Sequence, residues 1–111
     1  MNKETIIQNK VIAGCADIAF LWRYQVGEFY TMNAQRITIG FEGAPDVWGF
    51  RKSDGKMIFL ELKTMTGKLR PKQKEFKENV GDKFPVIYGV PRSLDEARRI
   101  INGNNNQQEE V

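Results

Sequence analysis

The segment Met57-Ile-Phe-Leu-Glu-Leu-Lys63 constrains the fold more than any other part of the chain. Successive side chains of a strand point to opposite faces. Read as a strand, the segment puts Ile58, Leu60 and Leu62 on a wholly apolar face that must sit on the core. The opposite face starts with Met57 and Phe59 and ends with Glu61 and Lys63, about 7 Å apart along the strand. An acid and a base therefore project together beside an apolar surface.

The other segments supply the partners for such a strand. Glu4, Ile7, Val11, Cys15 and Ile18 recur at spacings of three and four, which predicts a helix over 3–19 with these residues on one face. Phe20, Trp22, Tyr24 and Val26 alternate as in a strand that ends at Gly27, and Ile37, Ile39 and Phe41 alternate again over 36–41. Residues 43–50 read as a turn entering a short strand, and Ser53-Asp-Gly-Lys56 as a hairpin turn. Pro71 suits the first turn of a helix over 71–80, stopped by Gly81, with Gln73, Phe76 and Val80 facing inward. Residues 84–90 form another strand, and Ser93-Leu-Asp-Glu96 is a capping box opening a helix that runs to about Asn102. The order α-β-β-β-α-β-α indicates an α/β domain whose mixed sheet is flanked by helices. We expect one domain over 1–102 and a polar, disordered tail over 103–111, which is all that 111 residues have room for.

Composition narrows the chemistry. An apolar fraction of 41% with 11% aromatics supports a folded core. No apolar run approaches the roughly 20 residues that cross a bilayer, and the N-terminus lacks a signal peptide's apolar stretch, so a cytoplasmic location (the host cytoplasm for a viral protein) is expected. The lone Cys15 lies on the apolar side of the first helix, where core packing is the expected role. The chain contains no histidine, which excludes histidine bases and histidine-ligated metals. Hydrolysis here would have to run on carboxylates, lysine and a hard metal ion.

Asp46 precedes the strand that the Asp54-Gly55 turn joins to the 57–63 strand, so it can lie beside Glu61. Two carboxylates converging at a sheet edge repel each other or recruit a cation. Oxygen ligands without histidine or thiolate select Mg²⁺ or Mn²⁺. Such an ion would polarise a phosphodiester and acidify a bound water, with Lys63 placed to orient that water. The plainer reading is an ordinary Glu61–Lys63 ion pair on an edge strand. Glu4 on its apolar helix face fits either a cation that offsets its burial or a wet, frayed first turn. Residues 51–77 hold nine basic residues (Arg51, Lys52, Lys56, Lys63, Lys68, Arg70, Lys72, Lys74, Lys77) against Asp54, Glu61 and Glu75. That cluster fits a surface facing phosphates, although charge taken alone favours the plainer reading of a solvated face.

Together, Gly43-Ala-Pro-Asp46, Glu61-Leu-Lys63 and Gly67-Lys-Leu-Arg-Pro-Lys-Gln73 resemble the VRR-NUC branch of the PD-(D/E)xK nuclease superfamily. The Glu4 helix and the Trp22-Arg23 strand match the same pattern, and the resemblance spans about residues 3–92. It implies a restriction-endonuclease-like fold and a divalent-metal phosphodiesterase. Asp46 and Glu61 would be metal ligands together with the Leu62 carbonyl, and Glu4 would stand near the metal. Lys63 would have the catalytic role and Gln73 the positioning role among the catalytic residues, while Arg23, Lys68, Arg70 and Lys72 are the expected DNA contacts. Short stand-alone members are typically viral homodimers similar to Holliday-junction resolvases. The expectation is therefore a structure-selective, Mg²⁺- or Mn²⁺-dependent DNA endonuclease, a homodimer acting on branched DNA. The alternatives are the same chemistry on flapped, nicked or plain duplex DNA, or a non-catalytic DNA-binding module. Residues 27–35 match nothing in the pattern and are open to a role in substrate choice or a dimer contact.

Overall fold

The computed structural model describes residues 3–24, 27–39 and 42–103. Along the chain lie α1 (Lys3–Gly14), β1 (Ala19–Arg23), β2 (Gly27–Tyr30), β3 (Arg36–Ile39), β4 (Val47–Arg51) and β5 (Met57–Leu60). Then come α2 (Pro71–Phe76), a π turn over Lys77–Gly81, β6 (Ile87–Gly89) and α3 (Leu94–Asn102). The fold is α/β, as expected. Its main sheet runs β1-β4-β5-β6, with antiparallel pairs β1–β4 and β4–β5 and a parallel pair β5–β6. A parallel pair needs a crossover connection, and α2 with its π turn lies within that connection.

The strand count exceeds the expected order, because five strands precede α2. The strand expected over 36–41 is β3 and the unexpected one is β2, and the two pair as a separate hairpin. Thr31 closes its turn, donating its backbone N–H to the Gln35 carbonyl at 2.9 Å and accepting from the Gln35 N–H through Oγ1 at 3.1 Å. Ala34 sits there at φ 61°, a conformation that glycine or asparagine normally marks, so the turn leaves no signal in the sequence.

Several boundaries also shift. The helix expected over 3–19 ends at Gly14, and the Ile18 and Ala19 N–H groups bond back to the Cys15 carbonyl as the chain turns into β1. The helix expected over 71–80 keeps α geometry only to Phe76 before widening to Gly81. The strand expected over 84–90 shrinks to Ile87–Gly89, because Pro85 has no N–H for a ladder. In α3 the Ser93 Oγ accepts from the Glu96 N–H, while Glu96 reaches one residue further back than expected, to the Arg92 N–H. Gly103 closes that helix and does not begin a tail. The rest of the expected tail, 104–111, and the strand ends expected at 25–26 and 40–41 lie outside the described residues.

The apolar face of the central strand is where the alternation put it. Ile58, Leu60 and Leu62 are wholly buried, together with Val11 from α1, Cys15 from the turn after it, and Ala97 and Ile101 from α3. Burying each such aliphatic side chain contributes about 1.5–3 kcal/mol. On the other face α2 covers only one half, where Phe76 packs against Phe59 at 5.3 Å and Tyr88 at 6.2 Å. Among the described residues no helix is long and apolar enough to cross a membrane.

Candidate active site

The β4–β5 register fixes the site. Val47 pairs with Leu60, so the next position outward sets Asp46 against Glu61. Beyond Leu60 the chain stays extended, because the Glu61 N–H donates to the Gly89 carbonyl at 3.0 Å and the Lys63 N–H to the Pro91 carbonyl at 3.2 Å. The intervening Leu62 N–H turns the opposite way and donates to Asp46 Oδ1 at 3.0 Å. Leu62 thus anchors its side chain in the core and its amide on the Asp46 carboxylate. Sequence reasoning placed the two acids at a sheet edge, with an edge-strand ion pair as the plain alternative. That is corrected: β5 lies inside the sheet, between β4 and β6, and the acids stand where β5 ends.

Asp46 is held from three directions. Besides the Leu62 amide, Gln8 Nε2 donates to its Oδ2 at 3.0 Å, and its backbone carbonyl accepts from the Tyr24 N–H at 2.9 Å. The turn that delivers it is fixed as well. Gly43 has φ +89°, and a Cβ there would stand 2.3 Å from the Lys72 carbonyl oxygen of α2. Trp48 Nε1 donates to the Pro45 carbonyl at 2.8 Å.

Glu61 is 3% exposed, and its Oε1 is buried without a hydrogen-bond partner. Burial pushes the Glu61 carboxyl well above the usual carboxylate range, the Asp46 charge adds to the rise, and Lys63 opposes it. Burial raises Asp46 too, against the pull of its hydrogen bonds from Leu62 and Gln8. Two acids that resist ionising side by side, one with an orphaned oxygen, form a site with unmet demand for positive charge.

Both acids open on a cavity of about 270 Å³. Glu4 and Gln8 reach its wall from α1, Arg23 and Tyr24 from the end of β1, and Arg70 and Gln73 from the start of α2. Gln73 is 4% exposed and points inward as its helix position required, and its Oε1 accepts from the Arg70 N–H at 2.8 Å. An adjoining cavity of about 480 Å³ shares Ala44, Arg70 and Gln73 and extends along Gly43 and Lys72.

Of the residues singled out in the sequence, Glu4, Asp46, Glu61, Gln73, Arg23 and Arg70 therefore meet at one cavity. Lys63 is 5% exposed and is not part of that wall. Lys72 faces the adjoining cavity and pairs with Glu75 at 3.3 Å, and Lys68 is exposed on the loop between. Among the described residues no three acidic or thiol side chains converge as a ready metal-ligand group, so Glu4 shares the cavity without closing on the acid pair. The donor set nonetheless fits a hard divalent cation. It is all oxygen, and the orphaned Glu61 Oε1 is an acceptor no protein group satisfies.

Sequence reasoning missed Gln8, Tyr24 and Arg92. Gln8 lies four residues after Glu4, one turn along the same face, and could have been read from that spacing. Arg92 left no such signal. Its guanidinium donates to the carbonyls of Thr64 and Gly67 and so pins the loop that follows Lys63. Compared with known protein families the chain matches no family model, and compared with curated proteins it matches none.

Proposed function

We propose that the protein is a divalent-metal-dependent DNA endonuclease that hydrolyses phosphodiester bonds in branched DNA such as Holliday junctions, acting in the cytoplasm as a homodimer. One observation carries this reading. A buried pair of carboxylates, one oxygen of which has no partner, opens on a cavity with arginines on its wall. An acid pair alone would repel a phosphodiester. Arg23 and Arg70 give the anion a reason to enter.

Asp46 and Glu61, with the Leu62 carbonyl, would hold Mg²⁺ or Mn²⁺ with Glu4 beside them, and the ion when bound supplies Lewis-acid activation of the phosphodiester. The remaining roles belong to the chain. The Leu62 amide and Gln8 hold the Asp46 carboxylate in one orientation, which lowers the cost of organising the site at the moment of reaction. Lys63 offsets the negative charge of Glu61 from outside the cavity wall. Gln73 keeps the first turn of α2, and with it Arg70, against the cavity. Lys68 and Lys72 extend the cationic surface to neighbouring phosphates. The resemblance to VRR-NUC nucleases supports the same assignment of roles.

The test is incubation with labelled four-way junction, flap, nicked duplex, plain duplex and single-stranded DNA, each with Mg²⁺, Mn²⁺, Ca²⁺ or EDTA. Cleavage is expected with Mg²⁺ and Mn²⁺ alone, fastest on branched DNA. Ca²⁺, with its looser coordination, should support binding without turnover. Cleavage in EDTA would overturn the mechanism, and tight binding without cleavage in any metal would make the protein a DNA-binding module.

A further inference from the structure

Three large rings stand in water on the outer face of β1 and β4. Phe20 is 56% exposed, Trp22 39% and Phe50 41%. Phe20 and Phe50 stack with centroids 5.6 Å apart, and Trp22 meets both edge-on at 6.0 and 6.5 Å. This is the half of the sheet face that α2 leaves uncovered. Exposed apolar patches of this kind mark interaction surfaces.

The patch is continuous with the carboxylate cavity. Trp22 faces Trp48 across the β1–β4 pair, Trp48 stacks on Tyr24 at 4.0 Å, and Tyr24 is part of the cavity wall. Along β1, Trp22 lies about 7 Å and Phe20 about 13 Å beyond Tyr24. Phe20, Trp22, Tyr24, Trp48 and Phe50 share this face, and none carries a charge. The cation Arg23 stands where the ring row meets the cavity. Charge at the reacting phosphate, followed by bare rings along the strand, is the division of labour of surfaces that hold single-stranded nucleic acid: cations take phosphates and rings take the faces of bases.

We infer that Phe20, Trp22 and Phe50 form a stacking platform for unpaired nucleobases of the same strand whose phosphate lies at Asp46 and Glu61. The inference rests on the nuclease reading and narrows its substrate to DNA with a single-stranded segment beside the cleavage point. Bases inside a duplex are already stacked on each other and have no free face to offer. A second copy of this chain could also cover the rings, but that occupant gives no reason for the row to run into the cavity.

The experiment measures binding in Ca²⁺, the ion expected to support binding without turnover, of the full chain to two labelled probes. One is a blunt duplex, and the other is the same duplex with an oligo-dT arm on one strand. Wild type should prefer the armed probe by about fivefold or more, the effect of one base–ring stack. Trp22→Thr with Phe50→Thr, which keeps strand-compatible residues, should abolish that preference and leave blunt-duplex affinity unchanged. Trp22→Phe, which keeps a ring, should retain most of it, and an unchanged melting temperature confirms that the variants fold. If the double variant keeps the preference, the platform is wrong while DNA binding stands. If the double variant turns a dimer into a monomer with the preference intact, the rings are a subunit contact and the inference falls. If wild type binds neither probe, the nuclease reading itself fails.

Discussion

The Asp46 carboxylate accepts a hydrogen bond from the backbone N–H of Leu62 at 3.0 Å, so the ladder that pairs β4 with β5 ends in a side chain. The residue proposed to hold a cation thus also takes the place of a strand's last carbonyl. Changes at Asp46 act on the sheet and on the site together, whereas changes at Glu61 act on the site alone.

That distinction leads to the first prediction. Above about pH 8, where Glu61 ionises beside Asp46, Asp46→Asn and Glu61→Gln each remove one charge from a buried pair that repels. The metal-free variants should melt above wild type, by about 4–8 °C for each 1 kcal/mol of relieved repulsion. Both should lose the melting shift that Mg²⁺ gives wild type, and cleavage should fall at least about 100-fold. Asp46→Ala should leave DNA affinity equal or higher, since a repulsive carboxylate is gone. Calorimetry with and without Mg²⁺ reads the first pair of effects, and normal cleavage by Asp46→Asn sinks the assignment.

Gly43 and Gly55 both have positive φ, but their surroundings differ. A methyl at Gly43 would strike the Lys72 carbonyl, whereas nothing lies within 4 Å of the corresponding point at Gly55. Gly55→Ala should cost about 1 kcal/mol, the strain of the left-handed conformation alone. Gly43→Ala should cost more and also reduce cleavage, because Asp46 is carried by the same turn. Urea unfolding of the two variants compares them directly, and equal losses would show that the Gly43–Lys72 contact is relaxed at no cost.

The basic loop can be tested through salt. If Lys68, Arg70 and Lys72 touch phosphates, changing all three to Ala should lower the slope of log affinity against log salt by about 0.9 per lost contact on duplex arms. Gln73→Ala should reduce turnover and lower that slope by no more than the single contact of Arg70, which Gln73 holds, since the amide itself releases no counterion. An unchanged slope in the triple variant would move the DNA-binding surface to Arg23, Arg36 and the 27–35 segment.

Cys15 offers a measure of the fold itself. It is wholly buried, and burial pushes its thiol up to about 11 from an ordinary 9.0. The folded state therefore favours the neutral thiol. Its contribution to stability is complete below about pH 9 and is lost as pH rises from there toward 11. At pH 8 alkylation should proceed only through opening of the fold, many times slower than in urea. Native alkylation at the denatured rate would place the thiol at the surface.

Much of this was legible because periodicity reports burial. The alternation at 57–63 gave the core face, the hairpin turn tied Asp46 to Glu61, and the helical spacing turned Gln73 inward. What escaped had other causes. The β2–β3 hairpin turns through Ala34 and lacks the usual glycine. The first helix ends at Gly14 because apolar Cys15 and Ile18 can serve the core equally well from a turn. The Arg92 bond to Thr64 and Gly67 is a side chain reaching backbone carbonyls 28 and 25 residues away, and carbonyls have no letter in a sequence.

The way α1 is held gives the cavity a lever. Its C-terminal end is clamped, with Val11 and Cys15 in the core and the Gly14 carbonyl bound by Arg98, which also grips Asp17. Near its N-terminal end the Gln8–Asp46 hydrogen bond is a tie to the acid pair. Glu4 lies ten residues from the clamp, about 15 Å along the axis, so a tilt of about 10° swings it by about 2.6 Å. That is more than the length of a bond between Mg²⁺ and oxygen. The reach of the third carboxylate is therefore set by the angle of a whole helix, which Gln8 ties to Asp46.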